Sequence, residues 1–191
     1  VSAGAIVLAA GASTRLGEAK QLAVLGDERL LERAVRIANE AGLAPVIVVL
    51  GCRAEEIRES CRLGDAAVVL NPDWAEGMAS SVRAGIAALP EDLDGIVLMT
   101  CDQPAVTGAH LHALLKAAET NSGLQVVSSR YANRQGVPAF FPAAAWADLR
   151  SLHGDQGARG LLGTSKSVEL DGGELDVDTA ESLELARQRY G

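Results

Sequence analysis

Short apolar runs alternate with helix-period segments along the chain. The apolar stretches at residues 5–9, 45–50, 66–70, 95–99 and 124–128 read as buried strands, because a strand covered on both faces loses its apolar–polar alternation. Between them, residues 29–41, 53–62, 78–89 and 107–119 have helical spacing. In the first of these, Leu30, Leu31, Ala34, Ile37, Ala38 and Ala41 trace one face. Thr107 has an N-capping side chain, and Gly42 stands where a helix stops. A last helix is expected at 179–189. This alternation predicts an α/β fold with a mainly parallel, mixed central sheet and helices on both faces. Gly136 and Pro138 interrupt the strand-like run 128–142, which predicts a bulged or antiparallel excursion there. No repeat, low-complexity tract or linker breaks the pattern, so residues 1–191 are expected to form a single domain.

Composition narrows the function classes. The 191 residues hold 17 Lys and Arg against 25 Asp and Glu, a net charge of −8. An acidic surface offers no footprint for nucleic acid or an anionic membrane. The apolar runs are too short to cross a bilayer. The amino-terminal run lacks the basic start of a secretory signal, and the start at Val1 leaves room for a missing initiator Met or short leader. Cys52, Cys61 and Cys101 form no C-x-x-C pair, which predicts reduced thiols in a cytoplasmic protein. His110, His112 and His153 lack the spacing of a zinc site.

In open α/β sheets, ligands sit beyond the carboxyl ends of the strands. That rule singles out 10–20, 71–81, 100–104 and 176–179. In the first segment, small residues and glycines would let backbone N–H groups approach a phosphate, with Arg15 and Lys20 adding charge. A plain strand–helix connection with solvated cations is the competing reading. The spacing is neither that of a P-loop nor G-x-G-x-x-G. With 14 arginines but only three lysines in the chain, a lysine at position 20 points toward a crowded polyphosphate, which a compact ammonium suits. The second segment, Asn71-Pro72-Asp73-Trp74-Ala75-Glu76-Gly77-Met78-Ala79-Ser80-Ser81, reads as a turn feeding a helix, with Trp74 covering the core. Asp102, before Gln103-Pro104, either caps a turn or holds Mg²⁺ at a strand end. Asp176 and Asp178 share a side if their segment is extended, and Asp178 or Thr179 also suits an N-cap.

The string Leu8-Ala9-Ala10-Gly11-x-Ser13-x-Arg15-x-Gly17-x-x-Lys20 resembles the signature loop of the MobA-like nucleotidyltransferases. Leu16 stands where that family commonly has Met, and Cys101 replaces a smaller residue before Asp102. The resemblance runs down the chain. Tyr131…Gly136-Val137-Pro138-Ala139-Phe140-Phe141 and Gly154-Asp155-Gln156-Gly157-Ala158-Arg159 are similar to segments of the molybdenum cofactor cytidylyltransferase (MocA-like) branch, although a simple loop and a surface cation would also account for the latter.

The resemblance implies a three-layer α/β/α, Rossmann-like nucleotidyltransferase fold. It implies transfer of CMP from CTP to the terminal phosphate of molybdopterin, with pyrophosphate leaving. Leu8, Ala9, Ala10, Gly11, Ser13, Arg15, Lys20, Asn71, Gly77 and Ser81 would bind the nucleotide. Asp102 and Asp178 would hold Mg²⁺ with Asp176 in support, and Arg15, Lys20 and Asp102 would be catalytic. Gly136, Pro138 and Arg159 would bind the acceptor, and a molybdenum hydroxylase apoenzyme would be a further partner. A phosphate nucleophile is already ionised, in keeping with a chain that offers no Ser–His or His–carboxylate constellation. Guanylyl transfer to the same cofactor, transfer to a sugar phosphate, and a non-catalytic pterin carrier are the alternatives. A carrier would have no use for Arg15, Lys20, Asp102 and Asp178 together.

Overall fold

In the computed structural model, residues 1–120, 122–163 and 165–191 are described. β1 (Ala3–Ala9) is buried at every position, as its unbroken apolar run requires. A two-strand hairpin, β2 (Val24–Leu25) and β3 (Glu28–Arg29), leads into α1 (Leu30–Glu40). There follow β4 (Val46–Leu50), α2 (Ala54–Ser60), β5 (Ala67–Leu70), α3 (Met78–Ala87), β6 (Gly95–Thr100) and α4 (Gly108–Glu119). The second half adds β7 (Val127–Tyr131), β8 (Arg134–Pro142), α5 (Trp146–Arg150), β9 (Lys166–Glu169) and α6 (Ala180–Tyr190).

Seven strands form one mixed sheet in the order β5-β4-β1-β6-β8-β7-β9. The first four are parallel, whereas β8 runs antiparallel to both β6 and β7. Strand alternation sorts the core into two layers. Ala5, Val7 and Ala9 meet Leu31, Ala34 and Ile37 of α1 and Leu111 and Leu114 of α4 on one face. Ile6 and Leu8 meet Val82 and Ile86 of α3 and Trp146 and Leu149 around α5 on the other. α3 lies close to the sheet because Gly85 has no Cβ; one there would come within 2.7 Å of Ile6. A third cluster joins the hairpin to α6 through Leu25, Leu30, Val177 and Leu183.

The expected caps form. Thr107 Oγ1 accepts from His110 N at 3.2 Å, and Gly42 ends the first helix at φ 77°. The antiparallel excursion at 128–142 is the β7–β8 pair, with a register shift between Ser128 and Ser129. One boundary moves. The strand expected at 124–128 begins at Val127, and Leu124 is 72% exposed. α4 exits through left-handed Ser122 and Gly123, and that turn takes Leu124 out of the sheet. The hairpin and β9 were not foreseen, since two- and four-residue strands carry too little alternation to read. Among the described residues no helix is long and apolar enough to cross a membrane.

Candidate active site

The loop after β1 is held from beneath by Gln21, whose side chain is fully buried. Its Nε2 donates to the carbonyls of Ala9 at 2.7 Å and Gly11 at 3.2 Å, fixing the turn where the strand ends. Ser13 adopts a left-handed conformation at φ 55°, and its Oγ accepts from the Lys20 amide at 3.1 Å. Leu16 packs into the cluster of Val177 and Leu183, so the loop also rests on the segment before α6. That segment is tied to β6 in turn, because Val177 N donates to Asp102 O at 2.8 Å.

These ties bring together four charged groups that are far apart in sequence. Lys20 Nζ donates to Asp102 Oδ2 at 2.6 Å and to Asp178 Oδ1 at 2.7 Å, and Arg15 Nη2 donates to Asp178 Oδ2 at 2.9 Å. Burial works against the Lys20 charge, but the Asp102 carboxylate and the bonds to both aspartates outweigh it, so the ammonium is held above its ordinary range. Burial likewise pulls the Asp178 carboxyl up, and the bonds and charges of Lys20 and Arg15 overcome it, leaving a lowered pKa. Asp176 shares the cleft and makes no such bond among the described residues. Its desolvated face and the nearby Asp102 and Asp178 push its carboxyl up to about 6. The Cys101 thiol is pushed up to about 12 by burial and by Asp102, so it is an inert core group.

The charged cluster sits between two adjoining cavities. The smaller, about 380 Å³, is lined by Leu8, Ala9, Ala10, Gly11, Trp74, Gly77 and Ser81. The larger, about 900 Å³, is lined by Arg15, Tyr131, Gly136, Arg159, Asp176 and Asp178. Leu8, Lys20, Met78, Thr100, Asp102 and Asp155 line both. The expected nucleotide and acceptor residues thus fall largely on opposite sides of one seam.

Three expected residues lie behind the walls. Asn71 is 4% exposed and lines neither cavity. Its Nδ2 donates to Ser80 and Ser81 at 2.8 and 3.0 Å, so it positions Ser81 instead of facing a ligand. Ser13 braces the loop from within, and buried Pro138 receives the Ser129 hydroxyl on its carbonyl at 2.6 Å. Gly77, at φ 126°, turns the chain into α3, and a Cβ there would meet Asp155 and the Gly154 backbone. Trp74 is a cavity wall more than a core cover. It packs on Gly51, where a Cβ would come within 2.5 Å of the Trp74 Cβ.

Residues that the sequence did not single out complete the site. Gln103 donates to Tyr131 Oη at 3.4 Å and Gly173 O at 3.2 Å, linking the strand end that carries Asp102 to the far wall. Asp155 projects from a loop docked on α3, where Gly154 O accepts from Ala79 N at 3.1 Å and Arg83 reaches Leu152 O at 2.7 Å. A polar residue such as Gln21 in an apolar setting directly after Lys20 was the one available signal. Gln103 and Asp155 lie within the segments that carry the family resemblance, but nothing local marked their own roles, since their partners lie 28 or more residues away or across a loop.

Two carboxylate oxygens converge on one point, held there by Lys20. A hard cation with few protein ligands, completed by phosphate oxygens and water, fits such a pair. Among the described residues no group of three or more His, Cys, Asp or Glu is arranged to hold an ion.

Comparisons with known proteins place the chain in a family. The chain is 31% identical over 192 residues to nicotine blue oxidoreductase of Paenarthrobacter nicotinovorans, covering 97% of this chain and 93% of that protein. It is 25% identical to the molybdenum cofactor cytidylyltransferase of Escherichia coli, covering 97% and 95%. A Mycobacterium tuberculosis protein, Rv0371c, solved as a complex with manganese, superposes with a TM-score of 0.83 at 30% identity over 99% of this chain and all of that one. A nucleotidyl transferase from Methanothermobacter thermautotroptrophicus superposes with a TM-score of 0.85 at 25% identity over 99% and 97%. Residues 5–169 match the MobA-like NTP transferase domain, and the chain belongs to that family of nucleotidyltransferases.

Proposed function

We propose that the protein transfers CMP from CTP to the terminal phosphate of a molybdopterin-type acceptor, releasing pyrophosphate. The observation that carries this reading is the seam. Lys20 and Asp102 line both cavities, so a nucleoside held against Ala9–Gly11 and Ser81 would meet an acceptor held against Gly136 and Arg159 at the charged cluster. The similarity to the Escherichia coli cytidylyltransferase, over nearly the whole of both chains, supports the choice of base and acceptor.

The chemistry asked of the residues is modest in kind. The attacking phosphate oxygen is already ionised near neutral pH and needs no base. The obstacle is bringing two polyanions together, so positioning and charge stabilisation supply most of the rate. Backbone N–H groups of the loop would cradle the triphosphate, and Lys20 and Arg15 would draw charge toward the departing pyrophosphate. Asp102 and Asp178 would hold Mg²⁺, which when bound offsets phosphate charge. Asp176 would support them from the cleft wall. Arg159, exposed in the larger cavity and without an ion-pair partner among the described residues, is free to meet an acceptor phosphate.

The relative named nicotine blue oxidoreductase favours a second reading, oxidoreductase chemistry on a small molecule in the larger cavity. The loop lacks the G-x-G-x-x-G of dinucleotide enzymes, which weighs against it. The deciding measurement is pyrophosphate release from CTP, GTP, UTP and ATP, each with molybdopterin, with a sugar phosphate and with no acceptor. Release from CTP only with molybdopterin is expected. Release from GTP instead, release with the sugar phosphate, or no release despite pterin binding would replace this reading with guanylyl transfer, sugar-nucleotide synthesis or carriage.

A further inference from the structure

We propose that Lys20 is a place-holder for the divalent cation, and that this makes metal and nucleoside triphosphate bind strongly only together. The inference rests on the nucleotidyltransferase reading of the site and adds a coupling to it. Lys20 Nζ lies 2.6 Å from Asp102 Oδ2 and 2.7 Å from Asp178 Oδ1, the two oxygens that would ligate the cation. Mg²⁺ sits about 2.0–2.1 Å from its oxygen ligands. An ammonium and a dication cannot share that point, so entry of the metal expels Lys20.

Charge accounting shows why neither ligand enters easily alone. The Lys20 side chain is only 18% exposed, and Asp102 and Asp178 are 14% and 27% exposed. Arg15 completes the set at 2.9 Å from the second Asp178 oxygen, so two cations balance two carboxylates. A metal arriving alone strands a half-buried ammonium without its partners, which is unfavourable. A triphosphate arriving alone draws Lys20 and Arg15 away and leaves two carboxylates facing more negative charge. When both arrive, Lys20 moves from carboxylates to phosphate and the metal takes its place, so the ammonium and both carboxylates keep an opposite charge beside them. By linkage, each ligand must tighten the other by the same factor.

The test measures Mn²⁺ binding by electron paramagnetic resonance, on the chain alone and with saturating α,β-methylene-CTP. The wild type is expected to bind Mn²⁺ at least about tenfold more tightly with the analogue, within the usual range of such couplings. Lys20→Met is expected to bind Mn²⁺ alone at least about tenfold more tightly than wild type and to lose most of the tightening. Arg15→Met, which leaves the shared point occupied, is expected to gain much less. Lys20→Gln serves as the second variant if the Met substitution impairs folding. No gain in metal-only affinity on replacing Lys20, or an equal gain from Arg15→Met, overturns the place-holder. If the analogue fails to bind wild type with or without Mn²⁺, the CTP reading falls, while the metal-only comparison still decides this one.

Discussion

Lys20 makes three ties in the charged cluster and its surroundings, to Ser13 through its amide and to Asp102 and Asp178 through its ammonium. Its loss should therefore be felt in chemistry before stability. Lys20→Ala and Asp102→Ala are each expected to lower turnover by about 10²–10³, the cost typical of removing one preorganised charge-stabilising group. Circular dichroism should show the fold retained; near-normal pyrophosphate release by either purified variant would disprove the assignment. Gln21 presents the opposite balance. It touches no cavity-facing group of the cluster, yet its amide supports the Ala9 and Gly11 carbonyls from a fully buried position. Gln21→Leu leaves those carbonyls unpaired, at about 1–3 kcal/mol. A lower melting temperature and a several-fold rise in KM for nucleotide are expected, with kcat less affected. Unchanged KM would mean that the loop holds its shape without the amide.

Among the elements, α4 shows how a packed helix can carry a pH signature. His110 lies on its buried face, with Nε2 at 2.7 Å from Ser129 Oγ, whose hydroxyl donates to Pro138 O. Burial lowers its pKa, so the folded chain keeps the ring neutral while the unfolded chain protonates it near pH 6.5. The stabilising difference is complete above that value and is lost as pH falls through it, because the unfolded state then binds the extra proton. Thermal melts between pH 7.5 and 5.5 should show wild-type stability falling with acid, by at most about 1.4 kcal/mol per pH unit from this ring. His110→Gln should flatten that slope even if it lowers the curve; a parallel curve would exclude the effect. The same helix marks the limit of pattern reading. Its apolar spacing and its Thr107 cap were legible, whereas the left-handed exit at Ser122 and Gly123 displaced the following strand by three residues. Local apolarity at Leu124 carries no information about which way a turn points.

At the scale of the whole molecule, a chain of net charge −8 places two of its cations on two of its carboxylates at the seam. Because Lys20 and Arg15 already pair with Asp102 and Asp178, the fold is expected to hold without an added ion. Stripping divalent metal with EDTA should abolish pyrophosphate release and leave the melting temperature within about 1 °C, since stabilisation by a ligand requires that it be bound. A melting temperature that drops by many degrees would show a structural metal instead. The acidity that argues against nucleic acid and membrane surfaces is compatible with a small phosphate site, because screening and distance separate the general surface from a local cluster.

Much of this architecture followed from sequence alone. Unbroken apolar runs read as strands, although the run at 66–70 became the exposed edge β5; helical spacing sets which face is buried, and the rule for open sheets selected the loops that carry Arg15, Lys20, Asp102 and Asp178. These are local properties, governed by backbone geometry and by the removal of apolar side chains from water. What tertiary structure alone decided is where groups distant in the chain meet. The 158-residue separation of Lys20 and Asp178 is closed by Val177 bonding to Asp102 just beyond β6 and by the α6 cluster packing on the loop. The same packing turned Asn71 away from the cavities toward Ser80 and Ser81. It also set an ammonium at the point where two carboxylates converge, and only the folded chain could place those three charges within hydrogen-bonding distance.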